Sequence, residues 1–162
     1  MLFRSPTPAA PSVSVTQPTC TVATGIISIT APTGTGITYS VNGNTYQSST
    51  SFSGLAAGTY AVTAKNSAGC VSPATTAVIN TPPSTPAAPT VSITQPTCTV
   101  ATGIISITAP TGTGITYSVN GNTYQTSTSF SGLAAGTYTV TAKNSAGCVS
   151  PATIAVINTQ PS

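Results

Sequence analysis

Leu55-Ala56-Ala57-Gly58-Thr59-Tyr60-Ala61-Val62-Thr63-Ala64 carries the clearest two-residue alternation in the chain, and it recurs at residues 133–142 with a single change, Thr139 for Ala61. Alternation over such a run predicts a strand with one face buried. Tyr60, Val62 and Ala64 fall on one side of it and Thr59 and Thr63 on the other. A tyrosine two residues after a glycine, at the start of an inner strand, has the spacing of a tyrosine corner. In that corner the phenol bonds to backbone upstream and fixes a crossover between two sheets. Tyr60 and Tyr138 are therefore expected to be structural, and the fold is expected to be a β-sandwich.

The flanking sequence repeats the pattern in shorter pieces. Val13-Ser14-Val15-Thr16 reads as a first strand stopped by Pro18, and Ile27-Ser28-Ile29-Thr30 as a second stopped by Pro32. Ile37-Thr38-Tyr39-Ser40-Val41 is a third. Asn42-Gly43 is expected to form a tight type I′ hairpin, with Thr45-Tyr46-Gln47 returning beside it. Ser51-Phe52-Ser53 gives a short strand, and residues 70–79 a last one, with Pro73 marking a bulge or an edge. No helical period is present. The expected class is all-β, with about seven short strands spaced as in an immunoglobulin-like sandwich.

The chain contains this unit twice. Residues 7–84 align with 85–162 with six differences: Ser12/Thr90, Val15/Ile93, Ser48/Thr126, Ala61/Thr139, Thr76/Ile154 and Pro82/Gln160. Each copy is long enough to own a core. The organisation expected is two tandem immunoglobulin-like modules, at 7–81 and 90–159, joined by a proline-rich linker at 82–89. Four prolines within residues 81–89 favour an extended, semi-rigid spacer.

Charge is nearly absent. Arg4, Lys65 and Lys143 are the charged side chains, and there is no Asp, Glu or His. General acid–base chemistry at neutral pH draws mostly on those missing residues. No carboxylate pair, Ser-His-Asp triad or carboxylate calcium cage can be assembled, so the chain is read as not an enzyme, with no metal and no cofactor. Three scattered cations make no basic stripe for nucleic acid. No apolar run is long enough to insert in a membrane as a helix. Polarity comes from hydroxyls: residues 85–162 hold 18 Thr and 9 Ser. Lys65 and Lys143 are expected as solvated charges. Tyr46 and Tyr124, next to the hairpin tip, are the aromatic candidates for ligand contact, as stacking surfaces for glycans.

Cys20, Cys70, Cys98 and Cys148 permit three connectivities. Bridges within each repeat, Cys20–Cys70 and Cys98–Cys148, are expected because each module must close by itself. Such a loop of about 50 residues would contribute roughly 4 kcal/mol in the chain-entropy model. Zinc is disfavoured by the lack of His and of closely spaced Cys pairs. Disulfides place the chain in an oxidising compartment, outside the cell.

The run Ile37-Thr38-Tyr39-Ser40-Val41-Asn42-Gly43, then Tyr46-Gln47, then residues 52–60 and the closing Asn66-Ser67-Ala68-Gly69-Cys70, resembles the SprB-type repeat. Such repeats occur in very large cell-surface adhesins of gliding Bacteroidota and in other cargo of the type IX secretion system. The resemblance covers about the last two-thirds of each copy. It implies an immunoglobulin-like module of a long extracellular filament or adhesin, with neighbouring repeats as partners and no catalytic residues. On that basis the chain is expected to be a fragment of a longer surface protein, a disulfide-stabilised stalk spacer. Self-association into fibres, by a strand such as Ser12–Thr16 adding to a neighbour's sheet, is the variant. Where family members have Asp or Glu, this chain has Asn44 and Asn66-Ser67, which removes the ligands for calcium.

Overall fold

A computed structural model describes residues 6–162, and the chain divides into two compact units, one ending at Pro83 and the other spanning Ser84–Ser162. The first holds β1 (Ser12–Thr16), β2 (Gly25–Ala31), β3 (Thr38–Ser40), β4 (Ser51–Leu55), β5 (Gly58–Lys65) and β6 (Thr75–Ile79). The second repeats them as β7 (Thr90–Thr94), β8 (Gly103–Ala109), β9 (Thr116–Ser118), β10 (Ser129–Leu133), β11 (Gly136–Lys143) and β12 (Thr153–Ile157). Among the described residues there is no helix.

In each unit the strands form two antiparallel three-stranded sheets. Their orders are β1-β2-β4 and β3-β5-β6, and correspondingly β7-β8-β10 and β9-β11-β12. Split in this way, with the first, second and fourth strands facing the third, fifth and sixth, the sheets have the arrangement of an immunoglobulin-like sandwich. Alternation explains the core. Ile27 and Ile29 point inward from one sheet and meet Tyr39, Val62, Ala64, Ala77 and Ile79 from the other. Val13, Val15, Phe52, Leu55 and Tyr60 close its margin. Each fully buried aliphatic side chain stabilises the fold by about 1.5–3 kcal/mol relative to exposure. None of the six positions at which the repeats differ belongs to the buried core. Two of them, Ala61 and Thr76, are cross-strand partners on the outer face, replaced together by Thr139 and Ile154.

Three details depart from the sequence expectation. The expected type I′ turn is absent, because no described non-glycine residue has positive φ and Gly43 alone in that pair does, at 76°. Side chains organise a longer loop instead. Ser40 Oγ donates to Asn42 Oδ1 at 2.9 Å, and Asn42 Oδ1 accepts from the amides of Asn44 and Thr45 at 2.9 and 3.1 Å. The return strand consequently shrinks to a single bridge, Tyr39 to Gln47, leaving six strands per unit rather than seven. The last strand starts at Thr75, not Cys70. Lys65 pairs with Val71 and Val62 with Thr75, so one extra residue is accommodated around Pro73, which has no N–H to give the ladder.

β1 and β6 lie alongside one another and run the same way, which gives the unit two distinct poles. Thr75 Oγ1 donates to the Pro11 carbonyl near the start of both strands. Near their ends Gln17 Nε2 donates to Val78 O at 2.9 Å, and Asn80 N donates to Gln17 Oε1 at 2.8 Å. At the entry pole Asn66 Nδ2 donates to the Pro6 carbonyl at 3.0 Å. At the exit pole Gly25 is packed so closely that a Cβ there would lie 2.6 Å from Ile79 Cδ1 and 2.8 Å from the Thr16 carbonyl oxygen. The second unit repeats these bonds, and its own Asn144 Nδ2 donates to Ser84 O at 2.7 Å while Thr153 Oγ1 donates to Pro89 O. Residues 84–89, expected as linker, are thus held against the second unit at both ends.

Candidate functional site

Tyr39 is buried among the two sheets and Tyr60 only partly, because one stands mid-sheet and the other at the sandwich margin. Tyr39 Oη donates to Pro32 O at 2.7 Å, and Tyr117 Oη donates to Pro110 O at 2.8 Å. Tyr60 Oη donates to Ala56 O at 2.8 Å, four residues upstream, and Tyr138 Oη donates to Ala134 O at 2.9 Å. This is the bond a tyrosine corner makes, holding the crossover from β4 to β5. Tyr60→Phe keeps the ring and deletes that bond. It is expected to lower the first unit's stability by about 0.5–1.5 kcal/mol, read as a fall in its urea midpoint with unchanged slope.

Tyr46 and Tyr124 sit differently from the open platform expected of a glycan contact. Tyr46 is half-buried, and its Oη shares a 3.0 Å hydrogen bond with Thr63 Oγ1 on the outer face of β5. Two residues along that face, Lys65 places Nζ 4.0 Å from the Tyr46 ring centroid. Tyr124, Thr141 and Lys143 repeat the cluster at 3.0 and 3.9 Å. Lys65 and Lys143 are therefore not simply solvated. Each ammonium rests on an aromatic face, a contact of about 0.5–1 kcal/mol at an exposed site. Sequence reasoning treated Lys65 and Tyr46 separately; the looped return from β3 brings them together. A sugar stacking on that face would first have to displace the lysine. Replacing both Tyr46 and Tyr124 with Ala is expected to leave a glycan-array profile unchanged.

The cysteines require a correction. Cys20 follows β1 at the exit pole, whereas Cys70 follows the turn after β5 at the entry pole, beside Asn66, whose Oδ1 accepts from Cys70 N at 2.9 Å. The eight-residue β5 separates the two poles, a span of about 23 Å over its seven steps at ~3.3 Å per residue. A disulfide needs Cα atoms about 4.4–6.8 Å apart. The expected bridges Cys20–Cys70 and Cys98–Cys148 are therefore sterically excluded, and with them one disulfide per module. Cys20 and Cys148 are disulfide-bonded, whereas Cys98 is an exposed thiol. Sequence separation gave the loop length but not the pole on which each cysteine lies.

Among the described residues, no group of three or more His, Cys, Asp or Glu could hold a metal ion. Among the described residues no helix is long and apolar enough to cross a membrane. Every buried side-chain nitrogen or oxygen among the described residues has a hydrogen-bond partner. The strand Ser12–Thr16, expected as a candidate for exchange between modules, is paired along its length with β2 of its own unit.

No protein-family model and no curated protein matches the chain. Among solved structures it is similar to the chicken CNTN1 FN1-FN3 domains, at 17% identity and a TM-score of 0.41, covering 94% of this chain and 68% of that one. It is also similar to the fibronectin(III)-like modules of Clostridium thermocellum CbhA, at 20% identity and a TM-score of 0.44, covering 92% and 95% respectively.

Proposed function

We propose that this chain is a pair of structural, adhesive-type repeat modules from an extracellular surface protein, acting as spacers within a longer filament or adhesin. The observation that carries this reading is the position of the two poles. In each unit the chain enters at one pole, past Asn66 or Asn144, and leaves at the other, past Gln17 or Gln95. A module threaded from pole to pole carries the chain from one end of its own sandwich to the other, as a spacer does. Hydroxyl-rich outer faces and a self-satisfied interior suit a part that holds position rather than one that transforms a substrate. The SprB-type resemblance of the 37–70 segment supports the finer assignment to a type IX-exported surface adhesin.

Immunolabelling of intact producing cells with an antibody to the folded module is the test. Surface label that is lost on brief external proteolysis is the expected result. Label that appears only after permeabilisation would overturn the extracellular assignment.

A further inference from the structure

We propose that neutral amide and hydroxyl side chains close the strand edges of each sandwich and keep it from taking up a strand of a second copy. Gln47 and Ser49 do this on one side of the first unit, and Gln17 on the other. An open edge is a row of unpaired peptide groups onto which another chain can build, and charge, lysine above all, is a common guard. Here the edge strands β1, β3, β4 and β6 read SVSVT, TYS, SFSGL and TTAVI, with no charged residue among them. Their counterparts in the second unit carry none either.

On the first side, β4 is the outer strand of its sheet. The Thr50 carbonyl faces inward, accepting from Ile29 N at 2.8 Å, so strand alternation turns the peptide groups of Ser51 outward. Both of those groups are already bonded. Ser51 O accepts from Gln47 Nε2 at 3.0 Å and from Ser49 Oγ at 3.2 Å, while Ser51 N donates to Ser49 Oγ at 3.2 Å. Farther along, Gly54 has a φ of 71° and the β2–β4 register slips, a bulge that bends the rest of the edge away from a straight partner. Gln47 itself exchanges both main-chain bonds with Tyr39, at 2.8 and 2.9 Å. Its backbone thus ends one sheet while its side chain caps the other.

Across the sandwich, β6 turns the Val78 carbonyl and the Asn80 amide toward Gln17. Gln17 Nε2 donates to the first at 2.9 Å, and Gln17 Oε1 accepts from the second at 2.8 Å. A donor to one residue and an acceptor from the residue two places on is what a strand added in parallel would supply there. The carboxamide fills that slot. The Pro11 carbonyl, just before β1, is taken in the same way by Thr75 Oγ1. The second unit repeats these caps, with Gln125 and Ser127 on Ser129, and Gln95 on Val156 and Asn158.

Gln47, Ser49, Gln125 and Ser127 are exposed, so they can be replaced without touching the core. A full-length chain with Gln47→Ala, Ser49→Ala, Gln125→Ala and Ser127→Ala uncovers the peptide groups of Ser51 and Ser129. A companion variant has Gln47→Glu and Gln125→Glu beside the same serine changes. It loses the same bonds, since a carboxylate cannot donate to a carbonyl, but sets a charge at the edge. With accessible thiols alkylated, sedimentation at millimolar concentration is expected to show a monomer for the parent and for the Glu variant. The Ala variant is expected to rise at least about twofold in average mass. An associating parent or a monomeric Ala variant would overturn the proposal. So would a Glu variant that associates as the Ala variant does, because lost stability rather than an open edge would then be the cause. Amide exchange in the parent gives a reading that needs no variant. The Ser51 and Asn80 N–H groups are expected to exchange at least about tenfold more slowly than in an unstructured chain, and exchange at the unstructured rate would overturn the caps.

Discussion

Ile27→Ala is expected to lower the stability of the first unit by about 2–5 kcal/mol and leave the second unit's unfolding transition in place. Ile27 is fully buried, on the central strand of its sheet, and faces side chains from the opposite sheet. Truncation removes its transfer free energy and leaves a cavity that a close-packed interior fills only in part. Domains of this size have total stabilities of about 5–15 kcal/mol, so the loss is a large fraction. The tandem supplies its own reference, because Ile105 and the rest of the second core are unchanged in sequence. Calorimetry is expected to show a single broad transition resolve into two. An unchanged melting profile would mean that Ile27 does not lie in the core.

Gly25→Val is expected to destabilise the first unit by about 1–3 kcal/mol, for the opposite reason, overpacking. The added Cβ alone would meet Ile79 Cδ1, Ile79 Cγ2 and the Thr16 carbonyl at 2.6–2.9 Å. One of those atoms is backbone and cannot rotate away. β1 must then shift off β2, or Ile79 must leave the core. Gly58→Ala is the control, since its Cβ would meet nothing closer than Tyr60 Cε2 at 3.9 Å. That variant is expected to be neutral, or more stable by about 0.4–1 kcal/mol through a less flexible unfolded chain. Equal losses in the two variants, measured by urea unfolding, would contradict the close packing at Gly25.

The fold was legible wherever alternation was strict. Ile27 and Ile29 on one sheet, and Val62 and Ala64 on the other, are buried as their spacing predicts, because period two permits only one assignment of faces once a core exists. The Leu55–Tyr60 spacing likewise led to the phenol–carbonyl bond at Ala56. The hairpin failed for an identifiable reason. Asn-Gly can supply two positive-φ residues, but here Asn42 keeps negative φ and spends its side chain on the amides of Asn44 and Thr45. Local hydrogen bonding by an Asn side chain competes with the tight turn, and composition alone does not say which prevails. The cysteine pairing failed because 50 intervening residues fix an entropy, whereas pairing depends on strand direction. The Tyr46–Lys65 contact was invisible for a related reason: it needs the register of β3 against β5, in which Thr38 faces Lys65.

The side-by-side course of β1 and β6 sets how a module would respond to tension. A pull on the two chain ends draws β1 toward one pole and β6 toward the other, along the strand axes. The β1–β2 hydrogen bonds lie across that axis, from Val13 opposite Ile29 to Thr16 opposite Ile26. They are therefore loaded together, in shear, and cannot open one at a time like a zipper. Gln17, gripping both Val78 O and Asn80 N, ties the ends of the two terminal strands together and must give way in the same event. Resistance to such a pull is governed by the unfolding barrier rather than by equilibrium stability. A module with a modest core can therefore be slow to yield under load.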